Sequence, residues 1–65
     1  MSIKRDLLGI QVNNWQEVER LRNVAAKAAM EDKPTKSAFF QGKATALFEV
    51  ANLLSKYIDT IQDDE

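Results

Sequence analysis

The chain holds neither cysteine nor histidine. Without cysteine it can form no disulfide and offers no thiolate nucleophile. With histidine also missing, it lacks the ligand set of a structural zinc site. Two of the usual ways to stabilise so small a core are therefore closed, leaving close helix packing and oligomerisation. One proline and two glycines in 65 residues leave few places to turn. Neither sign of charge dominates: 9 Lys and Arg stand against 10 Asp and Glu, a formal charge of −1. That balance gives no general attraction to nucleic acid or an anionic membrane, so specific DNA binding is disfavoured. No apolar run approaches the roughly 20 residues that span a bilayer. The stretch Leu7-Leu8-Gly9-Ile10-Gln11-Val12 is too short for a signal-peptide core, and no small-residue cleavage site follows it. The expectation is a soluble cytoplasmic protein.

What the chain does have is apolar periodicity. Phe40, Ala44, Leu47, Ala51, Leu54, Ile58 and Ile61 are spaced alternately four and three apart without a slip. That is the seam of a helix made to lie along another helix. A helix over 36–62 follows, dissolving into Asp63-Asp64-Glu65, an acidic tail that opposes the dipole and should fray over 63–65. Upstream, Trp15, Val18, Leu21, Val24, Ala25 and Ala28 recur at helical spacing. Asn14 is suited to cap that helix and Glu17 to bond back to the cap, so a first helix is expected over 14–31. Pro34 breaks the chain between the two, with Thr35 or Ser37 capping the second.

So short a connection predicts an all-α, antiparallel helical hairpin forming a single domain. Positions whose numbers sum to about 68 or 69 then face each other, Leu21 with Leu47 and Trp15 with Leu54 among them. Residues 1–13 are left as a docking arm, either a short extended stretch or a helical turn ended by Gly9. Trp15 is expected in the core. Of the adjacent Phe39 and Phe40, one faces the partner helix and Phe39 faces outward. Gly42 lies mid-helix, where glycine costs about 1 kcal/mol relative to alanine. Either a partner approaches closely there or the cost is tolerated.

The second helix is apolar beyond its seam. Phe39, Ala46, Val50, Leu53 and Tyr57 add a row on one flank. The helix also outruns its expected partner near Ile58 and Ile61. One neighbouring helix cannot cover so wide an arc, and these seven residues are the predicted oligomer interface of a helical bundle, most simply a dimer.

Catalytic motifs are weak. Gly42-Lys43-Ala44-Thr45 fails as a phosphate loop, because Ser37 stands at the first glycine position and Ala44 follows the lysine. The acid pairs Glu17/Glu19, Glu31/Asp32 and Asp63/Asp64 fall at helix ends, on solvated faces or in the tail rather than in a cleft. The expectation is a protein that is not an enzyme and carries no cofactor or metal. A small anion site formed on assembly would draw on Lys36, Ser37, Lys43 and Thr45, near the start of the second helix where free N–H groups gather.

Phe39-Phe40-Gln41-Gly42-Lys43-Ala44-Thr45-Ala46-Leu47-Phe48 and the hairpin that holds it resemble, in style, small accessory proteins of bacterial viruses. More narrowly, Ser37, Thr45, Leu47, Glu49, Lys56 and Ile58 fall in the order found in the second helix of phage anti-CBASS sponges, over about 22 residues. Ala38-Phe39 departs from that pattern, and the second helix has no tryptophan. The first resemblance implies a non-enzymatic, self-associating protein that binds and modulates another, host, protein as a regulator or inhibitor. The second implies a sponge that sequesters a cyclic nucleotide signal at subunit junctions.

Overall fold

The computed structural model describes residues 2–61. It is a helical hairpin of two long helices, α1 (Ile3–Met30) and α2 (Pro34–Thr60), packed against each other. No strand occurs among the described residues. The Cα atoms fill a slab of 51 × 16 × 10 Å.

α1 begins at Ile3, not at residue 14. Its cap is Ser2, whose side chain accepts a hydrogen bond from the Arg5 N–H at 3.2 Å, and Asp6 adds a negative charge to the first turn. Asn14 therefore lies inside the helix and caps nothing. Glu17, freed from any capping role, binds Arg20 through both carboxylate oxygens at 2.6 and 2.8 Å. The residues expected as a docking arm are instead the first turns of α1. Lys4, Leu7, Gln11, Asn14, Val18, Leu21, Ala25 and Ala28 are all buried or half-buried and alternate three and four apart. One face of α1 thus runs unbroken from end to end.

α1 ends in a Schellman arrangement. Asp32 takes a left-handed φ of 59°, its N–H reaches the Ala29 carbonyl, and the Lys33 N–H reaches the Ala28 carbonyl. α2 starts at Pro34, whose fixed φ suits the first helical position. Its N-cap is Lys33, without a side-chain bond, so Thr35 and Ser37 lie within the helix and neither caps it. The Lys33 carbonyl accepts from the Ser37 N–H at 3.0 Å, the first bond of the helix. At the far end Ile61 is the C-cap. The expected helix end at 62 and the tail 63–65 lie outside the described residues.

The α2 seam is as its spacing predicts: Ala44, Ala51 and Ile58 are buried, and Phe40, Leu47, Leu54 and Ile61 half-buried. Val18, Leu21, Ala25 and Ala28 of α1 supply the opposite wall. The small residues let the two backbones come close. Helices of 28 and 27 residues are matched in length, about 42 and 40 Å at 1.5 Å per residue. Ile58 has no overhang to stand on; it is 3% exposed within its own chain.

Two contacts depart from the simple pairing. Trp15 meets Phe48 rather than Leu54, ring edge to face with centroids 5.3 Å apart. It is 36% exposed, a rim residue and not a core one. Gln11, the buried polar residue of the core, donates from Nε2 to the Ala51 carbonyl at 2.6 Å and to the Ser55 hydroxyl. Its Oε1 is buried without a partner.

Candidate interaction surface

The seam uses one side of α2 and leaves the neighbouring side bare. Phe39, Val50, Leu53 and Tyr57 are each between 55% and 66% exposed, and Ala46 is exposed among them. Residues three and four apart on a helix share a face, so these five form one stripe. Lys43 falls in the same stripe, completing a run at 39, 43, 46, 50, 53 and 57. Its ammonium lies over the rings of Phe39 and Phe40, 5.4 and 5.9 Å from the centroids. Those rings themselves meet edge to face at 5.3 Å. Phe39 points out and Phe40 is half-buried, the division expected of the pair.

An open groove of about 400 Å³ runs between this stripe and α1, lined by Glu17, Leu21, Lys43, Ala46, Leu47 and Val50. Ile3, Ile10, Glu17 and Val24 recur every seven residues along α1 and so border the same face. Ile3 and Ile10 are 71% and 50% exposed. The face is therefore apolar on both helices, with Glu17 and Lys43 as its central charges. The hydrogen bonds from Arg20 hold the Glu17 carboxyl below its ordinary pKa; desolvation opposes this, and the charges of Arg20 and then Lys43 add smaller pulls in the same downward direction. The same pair raises Arg20.

Of the seven predicted interface residues, Phe39, Ala46, Val50, Leu53 and Tyr57 are available on this surface. Ile58 is withdrawn into the core because α1 extends far enough to cover it, and Ile61 is half-buried at the end of α2. The apolar contribution of α1, Ile3 and Ile10, was hidden within the segment read as an arm. A second apolar patch lies across the hairpin, where Trp15 packs on Phe48 and the Arg22 guanidinium sits 5.1 Å from the Phe48 centroid. Leu8 and Val12 stand near Trp15 on the same side of α1 and are about half exposed.

The four residues of the predicted anion site are not brought together within one chain. Ser37 lines a second groove of about 280 Å³ beside the connection, whose charged member is the acid Asp32. Lys43 lines the other groove and covers aromatic rings. Thr45, two residues on, stands about 200° away around the helix. Lys36 lines neither groove. A site using all four would need a second chain.

No group of three metal-ligating side chains occurs among the described residues, and no described helix is long and apolar enough to cross a membrane. The arrangement defines a two-helix hairpin with an apolar face in excess of what its own fold covers. No family model, curated protein or solved structure matches the chain.

Proposed function

We propose that this chain is an antiparallel helical hairpin that self-associates into a helical bundle and acts, without catalysis, by binding another protein. A regulator or inhibitor of a host factor, of the kind carried by phages and mobile elements, fits both the size and the resemblance in style. One observation carries the reading: an apolar stripe from Phe39 to Tyr57, interrupted by Lys43 alone, lies bare beside a seam that is already closed. A stripe this long is costly to leave in water and marks an interaction site. The patch around Trp15, Phe48 and Arg22 is the surface left for a different partner once the stripe is covered, and Trp and Arg are residue types that anchor such contacts.

Sedimentation at micromolar concentration tests the first half. The expected species has twice the 7.4 kDa mass of the chain. A well-folded monomer at that concentration overturns the reading. For the second half, Trp15→Ala should leave self-association intact and abolish co-purification of any host protein bound by the wild type.

A further inference from the structure

Resting on the self-association reading, we propose that the second copy of this chain docks through α2 in one register. The two α2 helices run antiparallel about a twofold axis at the level of residue 48. Phe39 then meets the partner's Tyr57, Lys43 the partner's Leu53, and Ala46 the partner's Val50.

The argument starts from spacing. The stripe 39, 43, 46, 50, 53, 57 advances by four, three, four, three and four, and reads the same from either end. A twofold interface requires such a self-complementary patch. Here each facing pair sums to 96, so the whole stripe is matched and nothing is left over.

Side-chain size follows the same symmetry. Ala46 and Val50 are small and sit nearest the axis, where the helices approach closest. Phe39 and Tyr57 are large and sit at the two ends, where aromatic rings can pack on each other. The half-buried row beside the stripe is symmetric about the same axis: Leu47 comes nearest the partner's Leu47, and Phe40 nearest the partner's Leu54.

Charge excludes the main alternative. A parallel pairing would set Lys43 against the partner's Lys43 inside an apolar seam. The antiparallel one lays the lysine stem along the partner's Leu53, with Glu17 of its own chain at the same groove to attract the ammonium. Sliding the antiparallel pair by one heptad would unpair an aromatic end. The unfavourable contact in the proposed register is Glu49 against the partner's Glu49, on the exposed rim where solvent screens it.

The stripe from Phe39 to Tyr57 runs about 27 Å along α2 at 1.5 Å per residue, two-thirds of the helix. Gly42 also gains a role. In the single hairpin a Cβ there would meet nothing within 4 Å. In the dimer Gly42 comes opposite the partner's Lys56 and leaves room for its stem.

The absence of native cysteine makes the test clean. Ala46→Cys and Val50→Cys chains would be oxidised separately and as an equimolar mixture, with sedimentation of the wild type alongside. The mixture should form the 46–50 disulfide about tenfold faster than either variant bonds to itself, since only that pair comes within disulfide reach. Like-with-like bonding at the same rate overturns the register while leaving self-association intact. A monomeric wild type overturns the reading beneath it. A second measurement avoids touching the seam: a nitroxide at exposed Glu49→Cys should lie closer to its mate than one at Lys56→Cys. Equal or reversed distances overturn the register.

Discussion

Replacing Gln11 with methionine should make this protein more stable. The amide is 6% exposed and sits among apolar residues of both helices. Its Nε2 makes two hydrogen bonds, to the Ala51 carbonyl and the Ser55 hydroxyl. At about 0.5–1.5 kcal/mol each, they contribute about 1–3 kcal/mol. Its Oε1 is buried and unpartnered, which costs about the same. The polar atoms therefore roughly cancel. Methionine removes the two bonds together with the orphaned oxygen, fits the same volume, and puts a thioether and methyl where the amide was, adding apolar burial worth about 1–2 kcal/mol. The groups it abandons have somewhere to go. The Ala51 carbonyl is inside a helix and keeps its backbone bond, and the Ser55 hydroxyl can turn back onto it four residues earlier.

The net expectation for Gln11→Met is a gain of about 1 kcal/mol, the burial gain discounted for imperfect packing. At about 4–8 °C per kcal/mol for a domain of this size, the melting temperature should rise measurably. Urea and thermal unfolding followed by circular dichroism would read it, at fixed chain concentration because the proposed association would shift the midpoint. Gln11→Ala is the control: it loses both bonds and opens a hole, and should destabilise by about 2 kcal/mol. A Met variant less stable than wild type by about 1 kcal/mol or more would refute the reasoning. It would mean that the amide is fully satisfied and a net source of stability.

Three further outcomes follow from the same structure. Asp32→Gly should stabilise the hairpin by about 0.5–1 kcal/mol in a denaturant titration, because φ at that position is positive and glycine adopts it without strain. Gly9→Ala should stabilise by about 1 kcal/mol in the same assay, since the helix there has open space for a Cβ and gains propensity. Arg20→Gln should raise the Glu17 pKa toward its ordinary value, read by carboxyl carbon NMR. The sign follows from the depressed folded-state pKa: the pair contributes stability above the ordinary value of 4.5 and loses it as pH falls through the folded value. The stability difference between Arg20→Gln and wild type should therefore shrink on acidification, and a difference that grows would contradict the pairing.

Much of α2 was legible because its seam is written entirely in apolar residues. Phe40 to Ile61 keep the helical rhythm with no polar member, and Pro34 marks the break beside it. The first half of α1 was not legible for the converse reason. Its seam uses Lys4, Gln11 and Asn14 at positions where apolar periodicity registers nothing. Asn14 also imitates a cap, while the working cap, Ser2, stands ahead of a stretch broken by Gly9. The misplaced start then created a false overhang and put Ile58 on the outside. The anion set failed on geometry: Lys43 and Thr45 are neighbours in sequence but face different ways on a helix. The exposed stripe was readable except for Lys43, whose long stem lets a charged residue occupy an apolar row.

The connection at Asp32 and Pro34 also governs what the chain is prevented from becoming. With seams of equal length, the two helices could fuse into one rod and exchange partners with a second rod, burying the same faces between chains. Such swapped pairs are a common hazard of hairpins. Here a continuous helix would drive the Pro34 ring into the Met30 carbonyl and forfeit a backbone bond, at about 3 kcal/mol per chain. The proline thus acts as a guard on stoichiometry, keeping each core within its own polypeptide. In the proposed dimer, subunits built that way would exchange freely, because no assembly step would require a helix to be threaded from one molecule into another.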